Sequence, residues 1–147
     1  MAEINGTPGN DILSGTSGSD FIAGGDGNGQ IDAGAGDDFL SDGTGDSVLD
    51  GGAGFDTVFF SNHVGPVTIN LVTGTATGPD SGNDILRNIE HVEASGVGNV
   101  TIIGSANDEY LQANSFGTNN ISGGAGDDIV GDGGAGSILD GGRATTA

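Results

Sequence analysis

A nine-residue repeat constrains this chain more than any other feature. Cut from Gly6, the sequence reads GTPGNDILS, GTSGSDFIA, GGDGNGQID, AGAGDDFLS, DGTGDSVLD and GGAGFDTVF, ending at Phe59 without a gap. The fourth residue is always glycine (Gly9, Gly18, Gly27, Gly36, Gly45, Gly54), and the eighth is always aliphatic (Leu13, Ile22, Ile31, Leu40, Leu49, Val58). The sixth is aspartate in four of the six blocks: Asp11, Asp20, Asp38 and Asp56. The phase returns from Ser95 in SGVGNVTII, GSANDEYLQ, NSFGTNNIS, GGAGDDIVG and DGGAGSILD, with Ala113 as one extra residue. There the eighth residues are Ile102, Leu111, Ile121, Val130 and Leu139, and the fourth (Gly98, Asn107, Gly117, Gly126, Ala135) are less strict. A fixed short period marks a solenoid, whose repeats bury their apolar faces only against one another.

Composition narrows the partners. The 147 residues include 32 Gly, 17 Asp and 4 Glu but no Lys and no Cys; Arg87 and Arg143 are the only basic side chains, and the net charge is -19. Such a composition alone fits disorder, but three phases locked over six blocks do not. The charge repels nucleic acid and anionic membranes and attracts cations. Disulfide staples are excluded, and no apolar run approaches the roughly 18 residues a membrane span needs. The start, Met1-Ala2-Glu3-Ile4-Asn5, lacks the basic and apolar regions of a cleavable secretion signal.

The blocks resemble the RTX (haemolysin-type) calcium-binding nonapeptide G-G-x-G-x-D-x-U-x. Pro66-Val67-Thr68-Ile69-Asn70-Leu71, followed by Asn88-Ile89-Glu90, resembles the stretches that separate two repeat blocks in secreted proteins of that family. The resemblance implies an all-β fold, a right-handed parallel β-roll (a β-helix, or solenoid) with stacked Gly/Asp-rich calcium loops and two nonapeptides per turn. Its expected divisions are an N-terminal roll block over 6–59, a strand-containing connector over 60–94, a C-terminal roll block over 95–142 and a tail over 143–147. One inward aliphatic per nine residues makes a thin core, so a structural metal is the expected staple where disulfides are absent.

Two blocks per turn place like loops 18 residues apart, on parallel strands about 4.8 Å apart. Two carboxylates at that spacing repel by about 3.5 kcal/mol at an effective dielectric of about 20. A Ca²⁺ ion midway would meet oxygens at about 2.4 Å, inside its preferred range, whereas Mg²⁺ wants about 2.1 Å and stricter geometry. Parity then separates the two edges. Blocks two, four and six carry Asp20, Asp38 and Asp56 at position six; blocks one, three and five carry Asp11, Gly29 and Ser47. In the C-terminal blocks one edge carries Glu109 and Asp128, the other Val100, Asn119 and Ser137. Calcium is therefore expected mainly along one edge; Asp26 and Asp46 lie in defective loops, off the ligand position. The resemblance also implies backbone ligands among the first loop residues: Gly15, Ser17 and Gly18; Ala33, Gly34, Ala35 and Gly36; Gly51, Ala53 and Gly54; Gly123, Ala125 and Gly126.

No catalytic grouping is expected, and the chain is not read as an enzyme. His63 and His91 lack metal-ligand spacing and are expected at the surface or in connectors. Asp37-Asp38 and Asp127-Asp128 fall at loop positions five and six, where calcium coordination and solvation explain them better than acid–base catalysis. The Gly-x-Gly patterns lack the strand–loop–helix context and lysine of a phosphate loop, and no Ser-His-Asp grouping is arguable. Position seven should point outward, making neighbours of Phe21 and Phe39, with Tyr110 and Ile129 at the same phase. The function implied is structural calcium binding, by a module that folds on the ion after export to the extracellular space or cell surface, through the type I route common to RTX-like proteins. Two other readings stay open: a calcium-dependent self-assembling, matrix or adhesive protein associating through roll ends or the outward apolar face, and a carbohydrate-binding accessory module of a secreted enzyme.

Overall fold

The computed structural model describes residues 1–134 and 136–142. Ala135, Arg143 and the rest of the expected 143–147 tail lie outside the described residues. The chain runs through β1 (Glu3–Asn5), β2 (Ile12–Ser14), β3 (Phe21–Ala23), β4 (Gln30–Asp32), β5 (Phe39–Ser41), β6 (Val48–Asp50), β7 (Thr57–His63) and β8 (Val67–Asn70). It continues through β9 (Thr75–Gly78), β10 (Gly82–Arg87), β11 (His91–Gly96), β12 (Val100–Ile103), β13 (Tyr110–Ser115), β14 (Asn120–Ser122), β15 (Ile129–Asp132) and β16 (Ile138–Asp140). The fold is an all-β parallel roll: a seven-stranded sheet ordered β1-β3-β5-β7-β11-β13-β15 faces a nine-stranded sheet ordered β16-β14-β12-β8-β9-β10-β6-β4-β2. No helix of the described residues is long and apolar enough to cross a membrane.

Strands of three residues cannot stand alone; they persist here because every second block stacks in register. Phe21 pairs with Phe39, Ile22 with Leu40 and Ala23 with Ser41, while Gln30, Ile31 and Asp32 pair with Val48, Leu49 and Asp50. The eighth residue of each block therefore always meets another eighth residue, and the two aliphatic columns face each other. Ile22, Leu40 and Val58 in one sheet, and Ile31, Leu49, Ile102 and Ile121 in the other, are buried. Leu13 and Val130 are only partly buried, and Leu139 is 46% exposed. These three lie in β2, β15 and β16, each of which pairs with a strand on one side alone. Longer strands widen the core: Phe60, Ala94 and Ala113, from β7, β11 and β13, are also buried.

The strands of residues 60–94 lie in the same two sheets. β7 hands the chain to β8, which pairs parallel with β12. β9 then runs antiparallel between β8 and β10, and β10 returns to pair parallel with β6. β11 fits between β7 and β13. Within this segment Leu86 pairs with Leu49 and Val92 with both Val58 and Leu111, so the inward phase is kept. In calcium-containing buffer, truncating a central column residue (Leu40→Ala) should lower the unfolding free energy by about 2–5 kcal/mol. Truncating the exposed Ile12 should change it by less than about 0.5 kcal/mol; denaturant unfolding of the two variants measures both.

Candidate metal centre

Every crossing from the nine-stranded to the seven-stranded sheet lies along one edge of the roll, and every return crossing along the other. The first edge holds the loops that precede β3, β5, β7, β11, β13 and β15. It therefore gathers Asp20, Asp38, Asp56, Glu109 and Asp128, and with them the expected carbonyl positions of Gly15–Gly18, Ala33–Gly36, Gly51–Gly54 and Gly123–Gly126. Asp11 lies on the other edge, before β2.

The loops stack through a repeated hydrogen bond. The N–H of Ala2 donates to Asp20 Oδ1 (2.6 Å), that of Asp20 to Asp38 Oδ1 (2.7 Å), that of Asp38 to Asp56 Oδ1 (2.8 Å) and that of Asp56 to Glu90 Oε2 (2.9 Å). Glu109 N–H donates to Asp128 Oδ1 in the same way (3.0 Å). The second edge keeps the bond and mostly drops the charge: Gly29 N–H donates to Ser47 Oγ (3.3 Å), Val100 N–H to Asn119 Oδ1 (3.0 Å) and Asn119 N–H to Ser137 Oγ (3.2 Å). Ser47 N–H donates to Asp84 Oδ1 (2.9 Å). Where position six carries an oxygen it thus serves as the acceptor that joins one loop to the next (Gly29 and Val100 carry none), and on the first edge that acceptor is a carboxylate with a second oxygen to place.

Position two of each loop decides where that second oxygen goes. In loops with a hydroxyl there, the loop takes its own carboxylate. Thr7 N–H and Oγ1 donate to Asp11 Oδ2 (2.6 and 2.9 Å), and Thr16 N–H and Oγ1 to Asp20 Oδ2 (both 2.7 Å). Ser105 donates its N–H and hydroxyl to Glu109. In loops with glycine there (Gly34, Gly52 and Gly124), Oδ2 of Asp38, Asp56 and Asp128 is buried without a hydrogen-bond partner. The acidities follow the same division. Hydrogen bonds from Ala2 N–H and the Thr16 hydroxyl hold Asp20 below the usual carboxylate range. Burial, reinforced by the Asp20 and Asp37 charges, pushes Asp38 up. Burial, reinforced by the Asp38 and Glu90 charges, pushes Asp56 up to about 6. Burial also raises Glu109, against its Ser105 hydrogen bonds.

An orphaned buried carboxylate oxygen is costly, and it is what a hard cation with oxygen preference takes. The rest of the donor set is oxygen as well. The loops approach too closely for side chains: a Cβ on Gly36, whose φ is 124°, would sit 2.6 Å from Ser19 N. What they offer is backbone carbonyls. Those of Gly34 and Ala53 already accept N–H groups from Ala53 and Gly36 (both 2.9 Å), which leaves each a second lone pair. No group of three or more His, Cys, Asp or Glu side chains among the described residues is arranged to hold a metal. A site here would draw on carboxylate and carbonyl oxygens together, a donor set that fits Ca²⁺.

Two residues of this system escaped the repeat reading. Glu90 joins Asp56 on the first edge, and Asp84 stacks on Ser47 on the second. Residues 79–87, PDSGNDILR, carry Gly82, Asp84 and Leu86 at positions four, six and eight, a signal hidden because the spacing to the stacked loop is 37 residues instead of 18. His63, expected at the surface or in a connector, is buried at the end of β7, where its Nδ1 meets the Gly65 carbonyl at 3.0 Å. His91 stands at position seven, its ring edge against Tyr110 at 4.5 Å between centroids. The adjacent acids stack too: Asp37 Oδ1 accepts the Phe55 N–H (3.0 Å), and Asp127 N–H donates to Asp108 Oδ1 (2.8 Å). Phe21 and Phe39 stack outward at 5.3 Å, with Phe59 beside Phe39 at 5.8 Å.

Residues 5–40 and 32–61 match the family model of the RTX calcium-binding nonapeptide repeat, in 4 copies. No curated protein is similar enough to the chain to match it. The matched residues contain the first six loops of the roll, including those of Asp20, Asp38 and Asp56. Repeats of this family bind calcium ions. Through these residues the N-terminal part of the chain, somewhat under half of its length, carries the RTX calcium-binding nonapeptide repeat.

Proposed function

We propose that calcium seats between successive loops of the first edge, and that this structural, non-catalytic module folds when the ion is supplied. The observation that carries the reading is the set of orphaned Oδ2 atoms on Asp38, Asp56 and Asp128, each beside a glycine-rich loop. Asp38 lies between two stacked acids, Asp20 and Asp56, so its carboxylate serves the ions on either side. Loop carbonyls from Ala33–Gly36, Gly51–Gly54 and Gly123–Gly126 complete the ligand set. Asp20, Glu109 and Asp11, whose second oxygens are held by their own loops, are the weaker ligands.

Energetics favour conditional folding. Without cations the first edge stacks carboxylates with no lysine to offset them. An ion that binds only the folded state stabilises it by about 2.7 kcal/mol per site at a hundred times its Kd. Secretion follows the same logic: a chain that stays loose where calcium is scarce and closes where it is plentiful suits an extracellular role. The stacked Phe21, Phe39 and Phe59 rings favour one extension of this reading, calcium-dependent self-association through that face; sedimentation over a range of protein concentrations in calcium tests it.

Far-UV circular dichroism during a calcium titration is the direct test. A coil-to-strand transition with calcium, absent with magnesium and reversed by chelator, is expected; a chain already folded in chelator and indifferent to calcium overturns the proposal. Asp38→Ala should raise the calcium midpoint roughly tenfold, equivalent to about 1.4 kcal/mol, and Asp11→Ala far less. Equal effects would sink the one-edge assignment. Thr16→Gly, which frees Asp20 Oδ2, should shift the midpoint to lower calcium.

Acidity supplies an independent check. Burial pushes Asp56 up to about 6 in the fold, against about 3.9 when unfolded. The folded chain therefore binds the extra proton, and this contribution to stability is complete below about pH 4 and lost as pH rises through about 6. In chelator, acidification from neutral pH should add strand signal; in saturating calcium it should release the ion and remove that advantage.

A further inference from the structure

The second edge holds a cluster that the nonapeptide pattern does not describe. Where β7 passes to β8, a cavity of about 290 Å³ opens, lined by Asp42, Ser81, His63, Thr44 and Asp80 among others. Asp42 occupies position one of its block, a glycine position in the repeat. Both of its carboxylate oxygens are buried without a hydrogen-bond partner. Asp84 is 1% exposed; its Oδ1 anchors Ser47, and its Oδ2 is likewise orphaned. Independently of these acids, two further polar atoms on the cavity wall are buried and unsatisfied: Ser81 Oγ and His63 Nε2, in residues 7% and 5% exposed. Asp84 lies outside this lining but close enough for its charge to act on Asp42; the carboxylates of the wall other than Asp42 are engaged, Asp80 by the Val64 and Gly65 N–H groups (2.7 and 2.8 Å) and Asp26 by Thr44 Oγ1 (3.0 Å).

We propose that Asp42 and Asp84, with Ser81 Oγ, hold a further divalent cation of the calcium class on the second edge. Three orphaned carboxylate oxygens and a hydroxyl form a hard, all-oxygen set. A cavity of this size also admits waters, at about 30 Å³ each, and Ca²⁺ tolerates such mixed shells where Mg²⁺ demands a near-ideal octahedron. With no ion, burial pushes Asp84 up to about 7, and burial together with the Asp84 charge pushes Asp42 up to about 8. The carboxyl groups are thus poised to accept either protons or a cation. The site differs from the first-edge loops in using a position-one aspartate and two residues, Ser81 and Asp84, outside the matched repeats.

Equilibrium dialysis of the full chain against calcium alone, counting ions per chain, tests this. Asp42→Asn should bind one ion fewer than the parent while keeping its strand signal in saturating calcium, and it should be more structured than the parent in chelator, because folding no longer has to bury or protonate a carboxylate there. An unchanged ion count with the fold kept overturns the proposal. If Asp42→Asn does not fold, Ser81→Ala decides: a several-fold loss of affinity confined to one ion supports the site, and unaltered binding overturns it. Asp38→Ala serves as the control. Loss of ions in that variant, together with an unchanged count in Asp42→Asn, would leave the first-edge reading standing and remove only this one.

Discussion

The structure depends on a single hydrogen bond made over and over: the N–H of one loop's sixth residue donating to the side-chain oxygen of the sixth residue one turn along. Wherever position six carries an oxygen, that bond ties one loop to the next and reinforces the in-register pairing of strands too short to pair by themselves. Any side-chain acceptor suffices, as Ser47, Asn119 and Ser137 show on the second edge. Only a carboxylate leaves a second oxygen in the stack, and among the nonapeptide loops of the first edge that oxygen stays open where position two is glycine. A metal seated there, as proposed, would be layered onto an architectural contact instead of being a separate device.

Glycine has a matching double role. At Gly34, Gly52 and Gly124 a positive φ turns the loop and the missing side chain withholds the hydroxyl that Thr16 or Ser105 provides elsewhere. The choice between glycine and a hydroxyl residue at one position therefore divides otherwise similar loops into those that satisfy their own acid and those that leave one of its oxygens without a partner.

Much of this was legible from the repeat. The two inward columns follow from the aliphatic eighth position, and the grouping of Asp20, Asp38 and Asp56 along one edge, with Asp11 on the other, follows from parity. The outward stacking of Phe21 on Phe39 follows from position seven. Glu90, Asp84 and the burial of His63 were not legible, because the β8–β9–β10 insertion replaces the 18-residue step with steps of 34 and 37 residues. A fixed window passes over them although their local phase is intact. The role of position two was also invisible: it depends on which atom caps which oxygen, and the nonapeptide pattern treats both kinds of loop alike.

The insertion says something about how a roll of this kind can lengthen. Where β7 meets β11, the chain closes a loop nearly twice as long as the usual turn. Doubling a loop costs only about 0.6 kcal/mol in closure entropy, less than a single buried aliphatic side chain returns. One sheet gains an antiparallel hairpin while the other stacks on without interruption. Architecture of this type is therefore permissive to ornament: a hairpin can be spliced between two turns wherever the next acidic residue still lands above the last, and a genome can vary such a protein's flank without disturbing its spine.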